Sequence, residues 1–188
     1  MILFLQLYPS SFISASMKAA IRYLDQINEW AGRSVAWLTA VLVVLIGLDV
    51  AFRYFLSETK AWVNELEWHL FALIFLFGAG YAFKHDRHVR VDLFYSKMSA
   101  RDKALVNLVG NVIFLIPWCC LIIWVSSRYA WDAYAIGETS PDPGGLPARF
   151  IIKSGISIGF VLLLLQGIGD TLRQLEIFRE NKSDQSTE

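Results

Sequence analysis

The sequence predicts an all-α integral membrane protein with four transmembrane helices, and three observations predict it. The 188 residues are 55% hydrophobic and 18% charged, against roughly 45–50% apolar and about 25% charged in a soluble domain. The mean hydropathy is +0.45. Residues 62–95 start aromatic and acidic (Trp62, Glu65, Glu67, Trp68), turn apolar, and end in the basic run Lys84, His85, Arg87, His88, Arg90. Aromatic rings favour the headgroup level and Lys and Arg favour the cytoplasmic side, so that order marks a helix crossing a bilayer. The formal net charge is zero, which gives no reason to expect a nucleic-acid partner.

Along the chain, residues 1–16 read as a disordered extension, or as sequence upstream of a true start at Met17. No Lys or Arg precedes Lys18, so the positive beginning of a secretory signal is missing. Residues 17–178 are expected to form one four-helix membrane domain, followed by a polar tail at 179–188. Within it, residues 18–33 are amphipathic, with Ile21, Leu24, Ile27 and Ala31 at helical spacing and Arg22, Asp25, Glu29 and Arg33 on other faces. The fold class therefore includes an N-terminal amphipathic interfacial helix. The same periodicity also fits a water-exposed start of the first span.

A span needs about 20 mostly apolar residues, and four stretches qualify: 34–55, 62–83, 104–125 and 150–168. The link at 56–61 is short, so the first two spans form an antiparallel hairpin. Asp49 and Arg53, four apart on one helical face, then lie near the membrane face that also carries Glu65 and Glu67, with His69 one turn deeper. Arg53 is expected between Asp49 and Glu65. Such a cluster can pair helices or subunits, relay ions, or snorkel to water. The second span carries Ala72, Gly78, Ala79, Gly80 and Ala82, which permit close backbone approach. Ser99 and Asp102 read as the cap and first turn of the third span. Asn107 and Asn111 either bond a neighbouring helix or line a polar path, and Pro117 predicts a kink. Gly155 and Gly159 give GxxxG spacing in the fourth span. Cys119 and Cys120 read as two small hydrophobes.

Lys and Arg counts set the orientation. The N-terminal segment, the central loop and the tail hold twelve; the opposite side holds five, namely Arg53, Lys60, Arg128, Arg149 and Lys153. Both termini are therefore expected in the cytoplasm, and the Gly/Pro-rich loop around 137–147 outside. No phosphate-binding glycine loop, HExxH or GxSxG is present in the sequence, so no catalytic, cofactor or metal residue is assigned. The runner-up class is a small four-helix redox-enzyme subunit. Only His69 of the three histidines falls in a span, so a haem would lack an obvious second ligand.

Several motifs occur in order. They are R-Y-F at 53–55, W-x-x-E-L at 62–66, F-x-F-G-A-G-Y-A at 75–82, H-V-R-V-D at 88–92, S-x-R at 99–101, S-P-D-P-G-G-L-P at 140–147 and I-K-x-G-I-x-I-G-F at 152–160. On these the chain resembles the small membrane subunit (DctQ type) of tripartite ATP-independent periplasmic, or TRAP, transporters. One departure is Ser157, where that pattern has proline. The resemblance implies a non-enzymatic permease subunit of the bacterial inner membrane. It implies two partners: a large, DctM-type membrane subunit that carries the substrate, and a periplasmic binding protein. The cargo implied is an organic acid, a carboxylate, taken up on an ion gradient, with the small subunit as scaffold and anchor. On that reading Asp49, Arg53, Glu65, Glu67, Gly155 and Gly159 are candidate helix-pairing or subunit-interface residues. Ser140, Asp142, Gly144, Gly145 and Leu146 form a candidate periplasmic contact loop.

Overall fold

A computed structural model describes residues 15–57, 60–86 and 95–185. Its regular elements are helices, and four of them are long and apolar enough to cross a membrane. Helix α1 is Ala15–Leu56 and α2 is Ala61–Lys84. Helix α3 is Ala100–Ala135, and α4 is Phe150–Gln185. The predicted spans at 34–55, 62–83, 104–125 and 150–168 each lie inside one of these. A bilayer core has no water to satisfy free backbone groups, so a helix that bonds its own N–H and C=O groups is the economical form for each apolar run.

Two boundaries differ from expectation. Residues 18–33 continue into the first span without a break. A separate amphipathic helix lying flat would need a break near Ser34, and none occurs. At about 1.5 Å per residue α1 is roughly 63 Å long, about twice the thickness of a hydrocarbon core. At the other terminus α4 runs on to Gln185, so the helix continues into the polar tail. The expected extension 1–16 falls almost wholly outside the described residues, as does the H-V-R-V-D motif.

Helix α4 is the common neighbour. It packs against α3, α2 and α1, and α1 and α2 pack on each other, while the substantial contacts of α3 are with α4 alone. Small residues make the closest crossings. A Cβ added at Gly159 would lie 2.8 Å from Leu76 Cβ and 3.0 Å from the Leu76 carbonyl oxygen; one added at Gly155 would lie 2.6 Å from Leu73 Cδ2. The GxxxG face of α4 is therefore turned onto α2, inside the chain. In α3 the Ser99 side chain accepts the Asp102 N–H at 3.2 Å, as the capping pattern predicts. The irregularity expected at Pro117 takes the form of a π-helical turn, Asn111–Leu115, just before it. Proline lacks the N–H that would continue the α ladder, and a wider turn absorbs the lost bond.

Backbone at Leu76 cannot retreat from a new methyl group, so Gly159→Ala should lower thermal stability in detergent by about 1–3 kcal/mol. At Gly47 an added Cβ meets nothing within 4 Å, and Gly47→Ala should change little. Equal effects of the two substitutions would contradict this packing.

Candidate functional site

Charged and polar side chains collect in two layers, one toward each end of the helices. The layer at the end where α2 begins, called the outer layer, is built on Glu65 in the first turns of α2. Glu65 is buried, and its carboxylate is fully occupied. Ser140 Oγ and Arg149 Nη2 (3.1 Å) donate to Oε1, and the Leu146 N–H donates to Oε2 at 2.6 Å. A buried carboxylate needs such donors, because an unpaired charge in a low-dielectric interior is costly. The loop between α3 and α4 is shaped to supply them. Gly145 donates its N–H to the Asp142 carbonyl at 2.9 Å, and Ser140 donates its N–H to the Leu146 carbonyl at 3.1 Å. Gly144 has φ +75°, a left-handed conformation that glycine adopts without a Cβ clash. At Gly145 a Cβ would sit 2.9 Å from Glu65 Oε2, so only glycine lets the loop close on the carboxylate.

The same layer holds a second ion pair, Lys153 with Glu138, and Lys153 Nζ sits 3.7 Å from the Tyr129 ring centroid. Arg149 lies over the Trp68 ring at 5.9 Å. Lys153 on α4 is thus neutralised from the loop and faced by an aromatic ring of α3, a favourable setting for a cation.

The structure divides the predicted acidic cluster. Arg53 pairs with Asp49 at 2.5 Å and reaches Asn64 at 3.5 Å. It does not bridge to Glu65, which takes Arg149 instead. The reason is helix rotation: Glu65 faces α4 and the loop, whereas Asn64, one residue earlier, faces α1. Glu67 and His69 do not join either pair through their buried atoms. Glu67 Oε1 and His69 Nε2 have no hydrogen-bond partner among the described residues, and the His69 ring lies against Trp68 with centroids 4.0 Å apart. In the loop, Ser140 and Leu146 turn inward to Glu65, Gly145 is half-buried, and Asp142 and Gly144 are exposed. Gly155 and Gly159 lie against α2, as above.

The layer at the opposite end, called the inner layer, was not anticipated from the sequence except for Asn111. Asp25 of α1 accepts from Gln166 Nε2 at 3.0 Å and Arg173 Nη2 at 2.8 Å, both on α4. Glu29 accepts from Lys84 Nζ at 2.7 Å, and lies 3.2 Å from His85 Nε2. Asn111 of α3 donates to Asp170 of α4 at 2.8 Å. This settles the use of Asn111 as a bond to a neighbouring helix, while Asn107 donates to Tyr95 Oη at 2.9 Å. Asn28 and Gln166 are fully buried. The available signal was the set of polar residues at 25, 28, 29, 166, 170 and 173 flanking apolar runs. Sequence periodicity places them on surfaces, but which surfaces face each other depends on the order of helices around α4.

Comparison with known proteins adds the following. The profile of a family described as tripartite ATP-independent periplasmic transporters, DctQ component, matches residues 42–177. The chain is 25% identical over 130 residues to a TRAP transporter small permease protein of Haemophilus influenzae, covering 67% of this chain and 78% of that one. It is 27% identical over 157 residues to the ectoine TRAP transporter small permease protein TeaB of Halomonas elongata, covering 81% and 79%.

If the Glu65 carboxylate holds the outer loop, Glu65→Ala should free residues 138–149. Limited proteolysis in detergent should then cut that loop several-fold faster than in the wild type. Asp142→Ala removes a side chain that takes no part in the clamp and should leave the rate unchanged. Equal protection of the Glu65 variant and the wild type would remove Glu65 from this role.

Proposed function

The chain belongs to the DctQ component family of tripartite ATP-independent periplasmic transporters, and on that premise we propose that it is the stationary small permease subunit of one. In this reading it is a multi-pass protein of the bacterial inner membrane, with both termini in the cytoplasm and the 138–149 loop in the periplasm. It anchors a large, DctM-type membrane subunit, which moves substrate, and its outer loop helps seat a periplasmic binding protein. The cargo is an organic acid, a carboxylate, driven by an ion gradient. The Halomonas relative is named for ectoine, and at 27% identity that name weighs little for the cargo of this chain.

The observation that carries the reading is the Glu65 clamp. A loop that docks another protein works best when its own shape is settled before contact, because ordering it on binding costs affinity. Here three donors from the loop and the start of α4 converge on one buried carboxylate, and Pro141, Asp142, Pro143 and Gly144 are left outward. A stationary role is also supported by the polar ties at the inner end, which join α1 to α2, α1 to α4 and α3 to α4. Large apolar residues remain exposed along α1 and α3, among them Val43, Val50, Phe52, Ile113 and Phe114. Lipid and a partner's helices can both cover such surface.

Affinity purification of the tagged chain in mild detergent tests this directly. A much larger, many-span membrane protein should come with it in roughly equal amount. Recovery of the chain alone, active in liposomes, would overturn the scaffold reading. Arg53 is half exposed beside Asp49, at the outer edge of α1. Arg53→Ala should reduce recovery of the complex, or uptake, several-fold without changing which substrate is chosen. A changed substrate preference would count against a role in assembly.

A further inference from the structure

Arg33 is a cation that the inner layer holds weakly. Glu29 Oε2 takes Lys84 at 2.7 Å and His85 at 3.2 Å, while among the described residues Arg33 Nε keeps a 3.4 Å contact to Glu29 Oε1. One carboxylate therefore faces two permanent cations and an imidazole. The next acidic group inward on this face of the bundle, Asp25, is held by Arg173 and Gln166. The Arg33 side chain is 72% exposed.

Its depth is set by two facts. Lys84, which shares Glu29 with it, is the last residue of α2, and the apolar run of the first span begins at residue 34. Arg33 therefore stands at the level where hydrocarbon gives way to headgroups. Trp30 and Trp37 lie three and four residues away, on the same face of α1. They are 75% and 77% exposed. Indole rings favour that level, each with one N–H to donate. An exposed guanidinium between two exposed indoles at a membrane boundary presents donors outward and calls for an anion.

We propose that Arg33, flanked by Trp30 and Trp37, binds the phosphate of an anionic phospholipid at this end of the helices. Charge complementarity selects the occupant: the patch is cationic, planar in its donors and set at headgroup depth. The guanidinium takes the phosphate oxygens, the two indoles lie along the glycerol and upper acyl region, and the apolar face of residues 34–44 receives the chains. The site does not depend on which leaflet this end occupies, so it stands apart from the orientation proposed above.

The test uses the full chain, stripped of lipid in detergent and offered phosphatidylglycerol or phosphatidylcholine at equal concentration, with bound lipid counted by native mass spectrometry. The wild type should retain phosphatidylglycerol in preference. Arg33→Gln should weaken that retention about fivefold, the worth of one cation near an anionic surface. Arg33→Lys should keep the preference. Equal retention of the two lipids by the wild type, or equal retention of phosphatidylglycerol by wild type and Arg33→Gln, would overturn the proposal; that is also the outcome if a carboxylate of a partner subunit fills the patch. Should Arg33→Gln fail to fold, phosphatidylglycerol with brominated acyl chains decides the matter on the other side chains. It should quench the wild-type tryptophan fluorescence more than brominated phosphatidylcholine does, and the difference should shrink in Trp30→Phe/Trp37→Phe. Equal quenching in the wild type would sink the idea.

Discussion

A carboxylate enclosed between packed elements has to find its donors on the protein, and two of them, Glu65 and Asp25, govern how these helices are tied. Leaving such a group unpaired where water reaches it poorly costs several kcal/mol. Glu65 draws in Ser140, the Leu146 N–H and Arg149, which closes the outer loop over α2 and the start of α4. Asp25 draws in Gln166 and Arg173, which brings the far part of α4 against α1. Between those layers the closest crossings depend on small residues such as Gly155 and Gly159, and Ser126 of α3 meets Ser157 of α4 at 2.7 Å. Packing in the middle and polar pairing at the ends divide the work because the hydrophobic effect does not pull helices together inside lipid.

Helix α4 carries most of the consequences. It supplies Lys153 to the outer layer, with Arg149 immediately before its first residue, and Gln166, Asp170 and Arg173 to the inner one. It is also the one helix that touches the other three closely. A body pinned at both ends along a single central helix has little freedom to shear, because any sliding would strand several charges at once. That suits a subunit that stays still while another moves. Helix α3, leaning on α4 alone, and α1, with its long exposed face, offer the surface on which a membrane partner could be seated.

The family resemblance was legible because its motifs lie at fixed structural positions. W-x-x-E-L places Glu65 one turn into α2, and S-P-D-P-G-G-L-P is the loop that closes on it. The partner of Glu65 was not legible. Arg53 and Arg149 both belong to the outer end, and the short hairpin made Arg53 the nearer candidate in sequence. A rotation of about 100° per residue separates Asn64, which faces Arg53, from Glu65, which faces Arg149. The Asp25–Arg173 pair spans 148 positions, and nothing in local periodicity joins residues so far apart.

The sequence by itself determined the number of candidate spans, the capping of α3 at Ser99, the disturbance near Pro117 and the family. Each of these follows from local composition, because runs of apolar residues, a capping hydroxyl and a missing N–H act over a few residues. Only the tertiary structure decided that α1 runs unbroken from Ala15, that α4 lies at the centre, and that the polar residues sort into two layers. Those outcomes depend on which faces of four helices meet. In a bilayer that choice follows from mutual satisfaction of buried charges and close fit of small side chains, neither of which a single helix can specify alone.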